Sequence, residues 1–283
     1  MPEGHTIHRL AQDHATRFAG RKIQVSSPQG KFSDAAALLT GQELTRTEAH
    51  GKHLFLGFGG GGDADGDGDG AHWVHIHLGL FGKYTLGDTP APPPTDTVRL
   101  RLLTDTSFSD LRGPTACALI TDAEKDAIHD RLGPDPLRPD ADPARAYARI
   151  SRSRTTIAAL LMDQKVIAGV GNVYRAEVLF RHGIDPYTPG KDLTPAQLAA
   201  LWDDLKTLMR EGVRLNRIDT VRPEHTPEAM NRPPRVDDHG GEVYVYRRAP
   251  QPCHLCGAEI RTAELAARNL FWCPACQPPA ARG

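Results

Sequence analysis

Four cysteines near the end of the chain have the spacing of a metal site. Cys253 and Cys256 are two residues apart, as are Cys273 and Cys276, and sixteen residues separate the pairs. Each C-x2-C pair lets two thiolates converge on one tetrahedral ion. The pattern therefore predicts one structural zinc ion, with all four positions filled and none left for water. The residues between the pairs read as a hairpin. A module this short and this poor in apolar residues needs the metal to fold. His254 competes as a ligand in principle, but Cys256 already completes its pair. Cys117 is left over and reads as a core residue.

A second group lies in DQKVIAGVGNVYRAEVLF, residues 163–180, where an apolar helix turns into another. Gly169, Gly171 and Asn172 mark the junction, with Asn172 placed as an N-cap. A glycine-rich turn at a helix start offers amide groups and a positive dipole end to a phosphate. Arg152, Arg154, Lys165 and Arg175 flank it. An ordinary capped helix pair has the same appearance.

The third group is the start of the chain. Met1 precedes the small residue Pro2, so removal of the initiator is expected, exposing a secondary amine. Such an amine titrates at about pH 8, so much of it is nucleophilic near neutrality. Its attack on a sugar aldehyde carbon gives an iminium ion, an electron sink for elimination. Glu3 adjoins it as a general acid or base. His75 and His77 share a strand face and have the chemistry to bind a metal, but no third ligand is evident.

These groups need elements to position them. Residues 3–18 read as an amphipathic helix, with Ile7, Leu10, Ala11, His14 and Phe18 on one face. Between 21 and 120, QELTRTEAHGKHLFLGF, AHWVHIHLGLFGKYTL, DTVRLRLLTD and TSFSDLRG are alternating runs bounded by Gly, Pro and Asp. They predict antiparallel strands of a sandwich or barrel. GPDPLRPDADP at 133–143 reads as a linker. The period then becomes helical: ARAYARISRS and RTTIAALLMD are expected helices. Thr194, Pro195 and Gln197 form a capping box. It opens a helix whose core face is Leu198, Leu201, Trp202, Leu205, Leu208 and Met209. Residues 217–250 read as a long loop.

Composition sets the outer limits. In 283 residues, 39% hydrophobic and 24% charged, there is enough apolar material for two or three domains. No run approaches the length of a membrane span. The start carries no basic-then-apolar signal, and an odd number of cysteines fits a reducing compartment, so a cytoplasmic protein is expected. The net charge of −1 argues, taken whole, against a polyanion binder. Resolved by region it does not. Residues 1–144 carry net −6, and four aspartates sit in the tract GGGGDADGDGDG at 59–70. Residues 145–204 carry +2 and 205–283 carry +3. Binding to a polyanion would then rest on a few placed contacts. Asp63, Asp65, Asp67 and Gly68 mimic the start of a calcium loop, but Val74 stands where its bidentate Glu is due. The tract reads as a solvated loop tip.

PEGHT at the start, GKHLF around Lys52, HLGLFG at 77–82, GVGNVYRAE and RNLFWCPACQ follow one another in a single order. Together they resemble the formamidopyrimidine-DNA glycosylase/endonuclease VIII family across nearly the whole chain. The resemblance implies an α+β multidomain fold. An N-terminal helix and two-layer antiparallel β-sandwich occupy 1–132, a helix-two-turn-helix domain 133–238, and a zinc-finger hairpin 239–283. It implies a monomer that binds double-stranded DNA containing damaged bases or abasic sites, needs zinc but no organic cofactor, and is associated with the bacterial nucleoid rather than a membrane.

Roles follow at the matching positions. The resemblance makes Pro2 the amine that attacks C1′, Glu3 the acid that assists ring opening, and Lys52 a hairpin lysine supporting the lyase steps. His77, Asn172 and Arg268 become phosphate contacts. Leu80, with Phe81 alongside, becomes the wedge that fills the gap left by a flipped nucleotide. The purine-directed branch carries an arginine-rich loop with a phenylalanine two residues past its first arginine. Here Arg112 is kept, but Pro114 stands at the aromatic position. With PEGHT and Leu80-Phe81, this points to oxidised pyrimidines and the endonuclease VIII branch. The rival reading is a non-catalytic binder of damaged or distorted DNA, which has no need of Pro2 beside Glu3. A zinc-ribbon module fused to an unrelated β-domain leaves the ordered motifs unexplained.

Overall fold

The computed structural model describes residues 2–59, 72–236 and 240–279. They form two compact units, one of Met1–Glu3 with Ile7–Arg131, the other of Gly4–Thr6 with Leu132–Gly283.

In the first unit, helix α1 (Gly4–Phe18) buries Ile7, Leu10, Ala11, His14 and Phe18, as the three- and four-residue spacing requires. The strands are β1 (Gln24–Ser26), β2 (Leu44–His50), β3 (His53–Phe58), β4 (His72–His77), β5 (Lys83–Asp88), β6 (Val98–Leu103), β7 (Ser107–Arg112) and β8 (Ala116–Ile120). They make two antiparallel sheets, ordered β1-β6-β7-β5 and β2-β3-β4-β8. Alternate residues Leu54, Leu56, Val74 and Ile76 of one sheet share a core with Leu100, Leu102 and Leu111 of the other and with α1. Helices α2 (Ser33–Leu39) and α3 (Asp122–Arg131) complete the unit. Beside α3, Phe55 and Trp73 on the opposite face of the second sheet are buried too. The Lys125 ammonium of that helix lies 3.6 Å from the Trp73 ring centre and 3.1 Å from Glu48.

The second unit holds α4 (Pro143–Ile150), α5 (Ile157–Leu160), α6 (Asn172–Arg181), α7 (Pro195–Leu215) and the hairpin of β9 (Arg261–Leu265) and β10 (Arg268–Trp272). Helix α7 starts at the expected capping box. The Gln197 amide donates to Thr194 Oγ1 at 3.2 Å, and Gln197 Oε1 accepts from the Thr194 amide at 2.9 Å. Every residue expected on its apolar face is buried. The expected helices before the glycine turn are shorter than ARAYARISRS and RTTIAALLMD. α4 stops at Ile150, and α5 is a single turn.

The Pro- and Asp-rich stretch after residue 132 is not a free linker. Residues 132–136 are buried, the Gly133 amide donates to the Gln164 carbonyl, and a Cβ on Gly133 would meet the Val166 carbonyl oxygen at 2.4 Å. Cys253, Ile260, Leu270, Phe271 and Cys273 of the finger belong to one core with α6 and α7. From residue 60 onward, the acidic tract with its calcium-like spacing lies outside the described residues.

Candidate functional site

Pro2 and Glu3 precede the first turn of α1. Glu3 stands at its N-cap in extended conformation, fully buried, and Pro2 is half-buried. The next residue sets where they go. The Gly4 amide donates to the Gly169 carbonyl at 2.8 Å. A Cβ at position 4 would lie 2.8 Å from Gly169 Cα and 2.7 Å from Met209 Cε, so only glycine allows this approach. His5 follows, buried edge-to-face against Tyr174. Sequence reasoning did not single out Gly4 or His5; PEGHT was read for its first two residues. The structure thus brings Gly4 and the glycine-rich turn together.

Asn172 corrects one expectation. It is not the N-cap of α6; Gly171 holds that place and makes no side-chain cap, while Asn172 is the first helical residue. Its carboxamide is turned to the finger instead. Nδ2 donates to the Asn269 carbonyl at 2.9 Å, and Oδ1 accepts from Arg175. Arg175, expected to flank a phosphate, is fully buried and reaches the Leu265 and Asn269 carbonyls at 3.4 and 3.3 Å. Its cation therefore supports the β9–β10 hairpin. Arg152, Arg154 and Lys165 are exposed. Arg268 opens β10, paired with Leu265 across a turn of Ala266 and Ala267, both at positive φ.

The metal ligands meet as spacing alone required. The four sulfurs lie within 4.8 Å of one another, with Cys253 to Cys276 at 3.8 Å and Cys256 to Cys273 at 3.4 Å. A tetrahedron of about 2.3 Å Zn–S bonds has edges of about 3.8 Å, so the donor set fits one structural zinc. The Cys276 amide faces the Cys273 sulfur at 3.4 Å, and Gln277 ties the site to the core through the Cys273 amide and the Ile184 carbonyl. His254 lies 3.3 Å from Arg248 through Nδ1 and is outside the quartet. Cys117 is half-buried, and burial pushes its thiol up to about 12.

The remaining candidates belong to the first unit. Gly51 and Lys52 form the two-residue turn between β2 and β3. Lys52 acts on His77: burial first, then the lysine's charge, holds that imidazole below its ordinary range. His53 sits opposite His77 across β3–β4 and shares a hydrogen bond of 2.8 Å with His75. Burial and the neighbouring imidazoles lower His53 to about 3 and His75 to about 4, so this row is neutral at pH 7. His53 is the neighbour that sequence could not supply. Among the described residues, however, only the cysteine quartet gathers three or more metal-ligand atoms.

Leu80 and Phe81 stand at the β4–β5 turn, 44% and 81% exposed, unlike nearly every other large apolar side chain. A Cβ on Gly79, at φ +67°, would strike Thr115 Oγ1 at 1.9 Å, so the turn that displays them is clamped from below. Arg112 ends β7, half-exposed, and donates to Thr85 Oγ1 and Asp110, both at 3.1 Å. Asp110 is buried and holds Arg101 through two further bonds.

Two antiparallel sheets, a helix pair joined by a glycine turn and a four-cysteine hairpin define a multidomain zinc-finger protein. Sequence models of the formamidopyrimidine-DNA glycosylase N-terminal domain, its H2TH domain and the zinc finger found in FPG and IleRS match residues 1–117, 132–222 and 251–279. The chain is 50% identical to "Endonuclease 8 1" of Mycobacterium tuberculosis, covering 98% of this chain and all of that one. It is 33% identical to "Probable endonuclease 8 2" of Streptomyces coelicolor over 98% and 94% of the two chains. Its fold matches Lactococcus lactis FPG (MutM), solved with oxidized-pyrimidine DNA, at a TM-score of 0.75 and 22% identity, covering 98% and 100%. The chain belongs to the formamidopyrimidine-DNA glycosylase/endonuclease VIII family.

Proposed function

We propose that this chain is a base-excision-repair DNA glycosylase with abasic-site lyase activity that acts on oxidised bases, pyrimidines foremost, in double-stranded DNA. The observation that carries the reading is the anchorage of Gly4 on Gly169, which fixes the backbone directly after an amine and a buried carboxyl. Preorganised reacting groups are what a covalent mechanism requires.

The Pro2 nitrogen, freed of Met1, attacks C1′ of a flipped nucleotide. The glycosidic bond breaks with its electrons on the base, which leaves protonated. Glu3 protonates the ring oxygen as the sugar opens, and loss of the amine proton completes the iminium ion. Removal of a proton from C2′ expels the 3′ phosphate; a second elimination, from C4′, expels the 5′ phosphate. Lys52 and His77 hold phosphate near these steps, and Asn172 and Arg268 grip the same backbone, the first also bracing the hairpin that carries the second. Arg112 contacts the strands from β7. Leu80 and Phe81 fill the vacated stack, offsetting part of the few kcal/mol that extrusion costs. Cys253, Cys256, Cys273 and Cys276 hold a zinc that shapes the finger; no organic cofactor enters. A monomer suffices. We place the domain limits at 1–132, 133–238 and 239–283, and the protein in the bacterial cytoplasm; among the described residues no helix is long and apolar enough to cross a membrane.

The test is borohydride trapping on duplexes carrying 5-hydroxyuracil, dihydrothymine, 8-oxoguanine or an abasic site. A covalent adduct that disappears in Pro2→Gly and weakens in Glu3→Gln is expected, fastest with the pyrimidines. No adduct with any substrate, from protein whose N-terminus sequences as proline, would leave the non-catalytic binder as the better reading.

A further inference from the structure

A cavity of about 420 Å³ opens in the second unit between residues 232–236 and 242–254, beside the first cysteine pair. Arg232, Arg235, Arg247 and Arg248 line it, with His254. Glu242 is the one carboxylate among its described lining residues, and it is already engaged. Its Oε2 lies 2.7 Å from Arg232, and Oε1 accepts from the Arg235 amide.

The guanidinium groups are held in place. Arg248 is buried and donates to the Tyr244 and Pro252 carbonyls and toward His254 Nδ1, all neutral acceptors. Arg247 is exposed, with its guanidinium 5.5 Å from the Tyr246 ring centre; Arg235 lies 6.0 Å from the same ring. Tyr246 cannot drift, because its amide donates to Glu177 Oε1 at 2.8 Å and its ring meets Phe271 edge-to-face. Four guanidinium groups around one concavity give its lining a positive field, offset in part by Glu242, that attracts an anion.

We infer that this cavity binds a phosphate-bearing ligand. Planar guanidinium groups suit the oxygens of phosphate, and four of them line this cavity, Arg247 with its side chain exposed. The volume exceeds one phosphate group, which points to a polyphosphate or a stretch of nucleic-acid backbone. The inference goes beyond base removal, since neither Pro2 nor a lesion takes part.

The test is calorimetric titration of the zinc-loaded full chain with sodium tripolyphosphate, at ionic strength fixed with sodium chloride. One saturable site is expected. Arg247→Ala should weaken it about tenfold, the loss of one charge-assisted contact. Arg247→Glu should abolish it, and Arg247→Lys, which keeps the charge but not the planar fork, should recover only part of the affinity lost in Arg247→Ala. The side chain is exposed, so melting temperatures should not move. Undamaged duplex then separates the sources. If duplex displaces tripolyphosphate, and Arg247→Ala lowers the salt slope of DNA binding by about one, the ligand is DNA backbone. If duplex and tripolyphosphate bind together, it is a free polyphosphate. No saturable heat, or equal affinity in the parent, Arg247→Ala and Arg247→Glu, overturns the inference.

Discussion

The amide of Gly4 and the carbonyl of Gly169 meet at 2.8 Å, joining the start of the chain to a turn 165 residues away. The contact leaves no room for a side chain at position 4, where a Cβ would press on Gly169 Cα and Met209 Cε. Met209 can move; the Gly169 backbone cannot without disturbing the start of α6. Gly4→Ala should therefore displace Pro2 and Glu3 while leaving the finger folded. A drop of about 10²-fold in single-turnover base release is expected, the scale of a misplacement near 1 Å. Duplex affinity should fall far less. Equal losses in both would mean that Gly4 serves folding rather than placement.

Asn172 spans α6 and the finger hairpin from inside the protein, so its removal should be felt as stability and as binding. Asn172→Ala leaves the Arg175 guanidinium short of one acceptor and the Asn269 carbonyl short of one donor. A loss of about 1–3 kcal/mol is expected by denaturant titration of the zinc-loaded protein. Asn172→Asp keeps an acceptor for Arg175 and should recover part of that stability without recovering duplex affinity. A fully stable Asn172→Ala protein would contradict the bracing role.

Leu80 and Phe81 make the opposite prediction. Because both are exposed, Leu80→Ala and Phe81→Ala should leave the melting temperature within about 1 °C, surface truncations being nearly neutral. Base release from a lesion in duplex should fall at least tenfold, whereas cleavage of a single-stranded abasic site, which needs no wedge, should persist. Parallel losses on both substrates would remove the wedge from the mechanism.

Acid should destabilise the first unit through His14. Its Nδ1 donates to the Leu10 carbonyl at 2.7 Å, which leaves Nε2 of the neutral ring to accept from the Ser109 hydroxyl at 3.0 Å. Burial lowers its pKa from 6.5 to about 4. In the unfolded chain the ring protonates first, so the unfolded state binds the extra proton between those values. Stability is then full above about pH 6.5 and is lost as pH falls toward 4, by about 3 kcal/mol for this group. Denaturant titrations at pH 7.5, 6 and 5 should show the slope, and His14→Gln should flatten it. His53 and His75, also lowered, act in the same direction.

How much of this was readable beforehand depended on what each element uses for cohesion. Helices α1 and α7 declare themselves because their buried faces are apolar at helical spacing. Helix α3 was missed because DAEKDAIHDR has almost no apolar face; it is held by Lys125 over Trp73 and an ion pair to Glu48. The signal that would have found it is Thr121 with Glu124, which bond reciprocally at its start. Residues 217–250 read as a long loop, and despite the alternation in EVYVY residues 243–246 form no strand. Glu177 takes the amides of Tyr244, Val245 and Tyr246 on one buried carboxylate, and a ladder needs those donors. The cysteine quartet was legible because spacing alone brings its ligands together. The pairing of Gly4 with Gly169, and of Asn172 with Asn269, was not, since a contact across so many residues leaves no local pattern.

The turn that presents Arg268 offers a gain of stability. Ala266 and Ala267 have φ of +54° and +55°, the pair of left-handed residues that a two-residue primed hairpin turn demands. Alanine tolerates this poorly; the left-handed region costs an L-residue roughly 1–2 kcal/mol. Asn and Gly are the residues such a turn prefers, so Ala266→Asn with Ala267→Gly should stabilise the hairpin by about 1 kcal/mol or more. The loss of β9–β10 amide protection on zinc chelation should slow accordingly. Duplex affinity should hold or improve, because Arg268 is better fixed. If the double variant melts lower than the parent, or exchanges faster, then contacts of the two methyl groups outweigh the backbone strain and the turn is built for packing.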